Sequence, residues 1–394
     1  MKPTITAEFG LGAAEASAGL NEWTEEPGMP TGTHSSGVSR NSPDQLTVRR
    51  AQPKDAAGIA ALFLSMYRNS SHPFQSTASV GEFLEDSRNF QILAEAGDRI
   101  VASMAMTRNL WNDSYELGRA ITIPEYRRNG LAGFLMQRVV DWVVAAGMGE
   151  VIFGYPRVRR IAELCAALDP KVVVVGHDAG RNVANGSRET HLIVCGIPRH
   201  ARFTHIFPAG GEWLNWSFLR KQIYAPLGLT QLPGQYPAQS FIGAVARKRI
   251  DVGAWAFDYD AGDPSGALEV IVRRQDGFTP NEITRDLDEV LSGLPEVQHV
   301  TATVLADKAG VICALVERGF EICAYLPAWY REGRHRYDCA QLVRRQYMGT
   351  PGTQDFADLL AGLRAAFENC PPLSRTQEHQ FAAWFHCEVW SLVG

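Results

Sequence analysis

Residues 125–133 of the chain read EYRRNGLAG. The small residues at 130, 132 and 133 let the backbone turn sharply and bring its N–H groups close to an anion. An extended apolar segment (120–124) precedes the stretch, and a segment with helical spacing (134–144) follows it. The stretch therefore leads into the positive N-terminal end of a helix, where a pyrophosphate can be bound largely by main chain.

Two common phosphate-binding motifs are excluded, because no Gly-Lys-Ser/Thr follows and the second and third glycines of a Rossmann turn are missing. The pattern Arg127-x-x-Gly130-x-Ala132, with Pro-Glu-Tyr-Arg at 124–127, instead resembles the signature of the GNAT superfamily of acetyltransferases. The resemblance covers roughly residues 46–196. It implies acetyl-CoA, or another acyl-CoA, as co-substrate, and a cofactor site made by Ile121, Ile123, Arg127, Arg128, Asn129, Gly130, Leu131, Ala132 and Gly133.

The order of predicted elements, β-α-α-β-β-β-α-β-α-β-β, agrees with that family. Apolar periodicity predicts strands at 46–51, 90–96, 100–108, 116–123, 150–154, 172–175 and 190–195, and helices at 53–66, 80–86, 134–144 and 157–168. A helix that joins two neighbouring strands requires them to be parallel. We therefore expect an α+β fold with a central mixed, mostly antiparallel sheet. The resemblance implies that two central strands separate beyond a bulge, and that the pantetheine arm of the cofactor lies in the gap.

The length of 394 residues favours more than one domain. We predict a disordered tail (1–45), a GNAT domain that binds acetyl-CoA (46–197), a linker (198–240), a second GNAT-like domain (241–348) and a C-terminal helical extension (349–394). The second domain has the helix–Gly319-Phe320 junction of many GNAT domains. Its own loop at 273–278 lacks the spaced small residues, so we expect it to be degenerate and not to bind coenzyme A.

Composition limits the partners. The net charge of −5 argues against general nucleic-acid binding, and no apolar run is long enough to span a bilayer. The first residues do not read as a signal peptide. Seven cysteines without a Cys-x-x-Cys pair favour reduced thiols in a cytoplasmic protein, and ten histidines show no metal spacing. We expect neither a metal, a membrane nor a nucleic acid as a partner. The sequence leaves open whether the chain forms a homodimer.

The candidate general base is Glu116. An amine must be neutral to attack a thioester, and a carboxylate within reach can take its proton as the attack proceeds. Glu116 lies 11 residues before Arg127, and the resemblance implies that this is the offset of the base in the histone-acetylating members. Asp113 and Glu125 are alternatives.

The group that protonates the leaving thiolate is harder to place. In the family it is often a tyrosine on the helix before a Gly-Phe turn, but here Cys165 stands at that position and Asp169-Pro170 replaces the turn. Tyr155, at the end of the fifth predicted strand, or a water molecule could act instead. Cys165 itself is read as a buried structural residue.

Acceptor recognition is predicted in two segments. The first is the loop 69–76 with His72, which covers the acceptor in the family. The second is the long hairpin 177–186, whose polar candidates are His177, Asp178, Arg181 and Asn182. The same residue types are also common at a hairpin tip without any function.

We therefore expect an N-acyltransferase, acting as an N-acetyltransferase on a primary amine of a small molecule, in specialised metabolism or antibiotic modification. The alternative from another class is a non-catalytic acyl-CoA-binding regulator, which the missing family tyrosine leaves open.

Overall fold

The structure is a computed structural model of the chain. It describes residues 46–67, 72–127, 130–145, 149–156, 168, 172–184, 187–208, 219–230, 232–242, 248–252, 255–260, 267–272, 280–295 and 297–345. The predicted tail 1–45 and the predicted extension 349–394 lie outside the described residues, as does Cys165.

The described strands form one mixed sheet of fifteen strands. The strands are β1 Leu46–Arg50, β2 Asn89–Ala96, β3 Arg99–Asn109, β4 Ser114–Thr122, β5 Val151–Gly154, β6 Val172–Ala184, β7 Ser187–Gly196, β8 Thr204–Pro208, β9 Leu232–Gly234, β10 Lys248–Val252, β11 Trp255–Asp260, β12 Ala267–Val272, β13 His299–Leu305, β14 Glu321–Glu332 and β15 His335–Arg345. Their spatial order is β1-β2-β3-β4-β5-β7-β6-β14-β15-β13-β12-β11-β10. Outside this order, β8 pairs with β15 and with β9.

Within the described ranges, five helices of nine or more residues pack on this sheet. They are α1 Ala56–Met66, α2 Thr77–Glu85, α3 Leu131–Ala145, α4 Pro280–Ser292 and α5 Ala309–Glu317. Helix α1 shows why they pack, since Ile59, Leu62 and Phe63 recur at helical spacing and are all buried against the first half of the sheet. Shorter helical turns lie at Pro53–Asp55, Pro73–Gln75, Pro124–Tyr126, Arg220–Tyr224 and Ala225–Leu227.

Strands β4 and β5 pair in parallel only from Ser114/Val151 to Leu117/Gly154. Beyond Leu117, β4 continues to Thr122 beside β3 alone among the described strands, with a register shift of the kind that marks a β-bulge. Arg119 lies in this irregular stretch with a φ of +52°. The expected separation of two central strands past a bulge is therefore present in the structure.

The second half repeats this connectivity. The order β11-β12-β13-β15-β14 has the same strand directions as β3-β4-β5-β7-β6, with one parallel pair (β12 and β13) among antiparallel ones. Helix α4 connects β12 to β13, as α3 connects β4 to β5. The two halves meet where β6 pairs with β14, at Gly176 and Ala324. A Cβ on Gly176 would lie 2.2 Å from the Cβ of Ala324, so only glycine permits this approach.

The halves also share side-chain contacts. One hydrophobic core extends from Val151 and Phe153 in β5 through the second half. Arg336 of β15 is fully buried and donates to Glu150 Oε2 at 2.7 Å and to the carbonyl of Asp113 at 3.0 Å. Removing such a charge from water is costly unless it is paired, so these contacts fix the two halves together.

Several predicted boundaries differ from the observed ones. The strands of the 177–186 hairpin are longer than predicted, since β6 runs to Ala184 and pairs with β7 as far as Ser187. Cross-strand pairing of β6 with β7 keeps this polar segment extended, which local composition does not show. Residues 198–240 contain β8, β9 and a helical turn that pack on the second half. Phe241, at the start of the predicted second domain, forms an isolated bridge with Val304.

Candidate functional site

The predicted pyrophosphate loop leads directly into α3. Gly130 has a φ of +76° and is exposed, and a Cβ there would meet no atom within 4 Å. The first helical bond runs from the N–H of Phe134 to the carbonyl of Gly130 at 3.0 Å. The N–H groups of the first turn, at Leu131, Ala132 and Gly133, have no partner inside a helix. The loop therefore offers donors and an open face, while Arg128 and Asn129 lie outside the described residues.

Arg127 lies at the rim of this loop. Its side chain is exposed, and its Nε donates to the carbonyl of Thr122 at 3.0 Å. Its Nη2 lies 4.0 Å from the sulfur of Met66 in α1. These contacts hold the guanidinium across the end of β4, where it can also donate to a bound anion.

Ile121 and Ile123 have buried side chains. The N–H of Ile123 donates to the carbonyl of Val101 in β3, and its carbonyl accepts from the N–H of Tyr126. These two isoleucines therefore contribute mainly hydrophobic packing beneath the gap between β4 and β5. The carbonyl of Thr122 points the other way, toward Arg127. Because successive residues of a strand point in opposite directions, alternation along β4 is the sequence signal that distinguishes Thr122 from Ile121 and Ile123.

Glu116 lies at the point where β4 and β5 part. It is opposite Phe153 in the parallel pair, one residue before the last paired position. Its Oε1 would lie 3.7 Å from a Cβ on Gly118, so the carboxylate leans toward the unpaired part of β4. Within the described residues, Glu116 accepts no hydrogen bond.

Arg119 is a residue of the site that the sequence did not reveal. Its guanidinium lies over the rings of Phe83 (4.4 Å) and Phe74 (5.2 Å), and its Nη1 donates to Thr107 Oγ1 at 3.0 Å. Burial lowers the pKa of Arg119, while the nearby Glu116 carboxylate acts in the opposite direction. The two phenylalanine rings largely hold the guanidinium of Arg119 in place. It therefore supplies positive charge near Glu116 without forming a direct ion pair with it. The bulge that turns it inward has no signature in the sequence.

Two alternative bases lie in different settings. Both carboxylate oxygens of Asp113 are engaged, one by Arg108 at 2.6 Å and the other by Arg331 at 2.6 Å. Asp113 is therefore a structural link between the halves. Glu125 is exposed in the turn Pro124–Tyr126, beyond the end of β4.

Tyr155 follows the end of β5. It lies two residues after Phe153, and alternation along an extended chain places the two side chains on one face, which is also the face of Glu116. Tyr155 is half-buried against the core shared with the second half. That Tyr155 protonates the leaving thiolate stays a prediction.

The predicted acceptor residues are not brought together as one cluster among the described side chains. His72 accepts from the N–H of Phe74 through Nδ1 at 3.1 Å and stacks on Phe63 at 4.9 Å. His177 is buried on β6. Asp178, Arg181 and Asn182 lie on the backbone of β6, and their side chains are outside the described part of the structure.

In the described part of the chain, no group of three or more His, Cys, Asp or Glu residues could hold a metal ion. None of the helices there has the length and apolar character needed to cross a membrane. The structure shows no disulfide among the four described cysteines, and Cys195, Cys323 and Cys339 are buried.

Comparison with known proteins identifies one family. Residues 58–158 match the acetyltransferase (GNAT) family. No curated protein matches the chain. Similar solved structures include an acetyltransferase of the GNAT family from Streptococcus pneumoniae, with 18% identity, a TM-score of 0.33, and coverage of 39% of this chain and 99% of that one.

Two further solved structures are similar over the same share of the chain. A ribosomal-protein-S5-alanine acetyltransferase from Vibrio fischeri has 20% identity and a TM-score of 0.34, covering 41% of this chain and 98% of that one. A spermidine N-acetyltransferase from Vibrio cholerae in complex with CoA and spermine has 20% identity and a TM-score of 0.33, covering 39% and 95%. The family assignment rests on the match at residues 58–158.

Proposed function

Because residues 58–158 form a domain of the acetyltransferase (GNAT) family, we propose that the chain transfers an acetyl group from acetyl-CoA to a primary amine of a small molecule. The observation that carries this proposal is the parting of β4 and β5 just beyond Leu117 and Gly154, with the Glu116 carboxylate beside it, which accepts no hydrogen bond from a described residue. The gap leads along β4 to the open loop at Gly130. The acceptor class remains a small amine of specialised metabolism or an antibiotic.

The residues would share the reaction as follows. The N–H groups at the start of α3 and the guanidinium of Arg127 hold the pyrophosphate of the cofactor. Glu116 takes a proton from the amine as its nitrogen attacks the thioester carbon. The new C–N bond forms, the C–S bond breaks, and the thiolate leaves with the bonding electrons. Tyr155 or water then protonates the sulfur.

The test is thiol release. The full chain is mixed with acetyl-CoA and a library of primary amines, free thiol is followed with a chromogenic reagent, and products are weighed by mass spectrometry. An acetylated amine formed in step with free coenzyme A is the expected result. If calorimetry detects acetyl-CoA binding but no amine is acetylated, the chain is a non-catalytic acyl-CoA-binding regulator. If acetyl-CoA does not bind, both functions are refuted.

The second half is proposed to be a degenerate repeat of the first that does not bind coenzyme A. Its strand order repeats that of the first half, but the edge of β13 beyond its parallel pairing is occupied. The N–H of Ile242 donates to the carbonyl of Thr303 at 2.9 Å, and the N–H of Leu305 donates to that of Ser240 at 2.8 Å. Among the described residues, no segment bonds to β4 in the corresponding gap of the first half beyond Leu117.

Calorimetric stoichiometry tests this proposal. We expect one acetyl-CoA per wild-type chain, and no binding after Gly130→Glu, which places bulk and negative charge in the first loop. A titration that gives two sites per wild-type chain, with one of them retained in Gly130→Glu, would show that the second half is a working site.

A further inference from the structure

The strand β14 carries an irregular backbone at the boundary between the halves. Its pairing with β15 passes from Leu326/Cys339 to Tyr330/Tyr337, so four steps on β14 oppose two on β15. Within this bulge Ala328 has a φ of +53°, a conformation that side-chain-bearing residues rarely adopt. Strained backbone of this kind persists only where the surroundings hold it, and it is often found at functional sites.

Three buried polar groups hold the bulge in place. The N–H of Ala328 donates to Asp338 Oδ1 at 2.7 Å, and its carbonyl accepts from Arg336 Nη1 at 3.1 Å. The carbonyl of Trp329 accepts from Asn112 Nδ2 of the first half at 3.2 Å. Asp338, Arg336 and Asn112 are each fully buried. Two consecutive residues are therefore fixed at three points, one of them by the opposite half.

The bulge directs the indole of Trp329 onto the first half. Its ring meets that of Phe153 edge-on, with centroids 4.3 Å apart, and that of Trp111 at 5.7 Å. Phe153 is the direct neighbour of Glu116 across β4 and β5, and residues in register on neighbouring strands project from the same face. Trp111 and Trp329 are both half-buried, so part of each indole remains exposed.

We propose that Trp329 and Trp111 form the acceptor wall of the acetyltransferase site, and that the acceptor is a primary amine carried by a flat aromatic group. This inference rests on the proposed function. The aromatic group of the substrate packs on the exposed indole surface, and its amine reaches the Glu116 carboxylate. Indoles suit such a ligand because they offer large rigid faces that stack on rings and attract a nearby ammonium.

The transfer step is that of the proposed function. The amine nitrogen bonds to the acetyl carbon, the C–S bond breaks, and the proton lost by nitrogen goes to Glu116. Trp329 contacts the substrate away from the reacting atoms, so it determines which amine binds and leaves the proton transfer unchanged.

The experiment compares two primary amines, the aromatic 2-phenylethylamine and the aliphatic n-butylamine. Their affinity for the full chain is measured by calorimetry, and their acetylation by thiol release, for wild type, Trp329→Ala, Trp329→Phe and Trp111→Leu. The control is Trp142→Phe, because Trp142 is a half-buried indole that stacks on Phe90 in the first half. Thermal unfolding confirms that each variant is folded.

We expect wild type to bind 2-phenylethylamine more tightly than n-butylamine, and Trp329→Ala to lose on the order of tenfold in affinity for the aromatic amine alone. Trp329→Phe should retain part of the preference, and Trp142→Phe all of it. The KM for acetyl-CoA should not change in any of them.

Equal affinities of wild type for the two amines, or equal losses in Trp329→Ala, would overturn the inference and leave Trp329 as interface packing. Where Trp329→Ala does not fold, Trp329→Phe and Trp111→Leu decide the question. Preferential binding of the aromatic amine without any thiol release would refute the proposed transferase and keep the aromatic binding site.

Discussion

Replacing Asp338 with asparagine tests the buried network on which the second half depends. The carboxylate accepts four hydrogen bonds, two at Oδ1 from His205 Nε2 and the N–H of Ala328, and two at Oδ2 from the hydroxyls of Tyr224 and Tyr325. The Nδ1 of His205 lies 2.7 Å from the carbonyl of Thr230. Both partners of the imidazole only accept hydrogen bonds, so both ring nitrogens carry protons and His205 is an imidazolium.

The pKa shifts give the pair its pH dependence. Burial alone would lower the pKa of His205, but the Asp338 charge and the hydrogen bonds outweigh it and the net shift is upward from 6.5. Burial alone would raise the pKa of Asp338, yet His205 and the other donors bring it below 3.8. The contribution of His205 is complete below pH 6.5 and is lost as pH rises through its raised pKa. That of Asp338 is complete above pH 3.8 and is lost as pH falls through its lowered pKa.

Asparagine at 338 keeps one acceptor oxygen and places an amide donor against two hydroxyl donors. It also leaves His205 buried without a counter-charge. Breaking a buried pair at one partner costs about 3–5 kcal/mol. For a chain of this size, such a loss lowers the midpoint of thermal unfolding by about 5 °C or more.

The assay is thermal unfolding of wild type and Asp338→Asn between pH 4 and pH 9. The matched control is Asp288→Asn, because Asp288 also pairs with two arginines, Arg318 and Arg344, but is 45% exposed. Exposed pairs contribute about 0–1 kcal/mol, so the control should shift little. The wild-type midpoint should fall toward alkaline pH, and this fall should weaken in Asp338→Asn. Similar shifts for both variants, or an unchanged alkaline decline, would refute an ionised His205–Asp338 pair.

Three further predictions concern the first half. Gly130→Glu should abolish acetyl-CoA binding in a chain that still folds, because glutamate brings negative charge to the loop; unchanged affinity by calorimetry would remove the loop from the site. Arg127→Ala should weaken binding by about 1.5 kcal/mol, the low end for a charged hydrogen bond, since the side chain is exposed. Glu116→Gln should lower turnover about 10²–10⁴-fold at neutral pH with acetyl-CoA affinity retained. That deficit should shrink as pH rises, because more amine is then already neutral; near-full activity at neutral pH would show that Glu116 is not the base.

The first half was readable from sequence because its signals are local. Arg127, Gly130 and the following helix lie within a few residues of one another, and their spacing carries the resemblance to the family that residues 58–158 match. The gap beyond Glu116 agrees with the fold expected from the family. The positive φ of Arg119 could not be foreseen, because a bulge depends on the pairing of β4 with β3 rather than on residue type.

The contacts between the halves were not readable, because they join residues distant in the chain. His205 and Asp338 are separated by 133 positions, and Asn112 and Trp329 by 217. Asp113 was an alternative base in the sequence, and only the fold shows that arginines of both halves occupy its carboxylate. Periodicity reports which residues are buried, but not which buried groups meet.

The second half has the same strand order as the first, but residues 240–242 occupy the edge of β13 beyond its parallel pairing. A repeat that served only as a packing partner would have no need of a strained bulge, since regular pairing of β14 with β15 would bury the same strands. Instead, three hydrogen bonds from the bulge to buried polar side chains hold Ala328 and Trp329 in place. This arrangement places the indole of Trp329 against Phe153, which is the neighbour of Glu116 in the sheet. In our proposal the second half therefore acts through the first, as the part of the site that selects the amine.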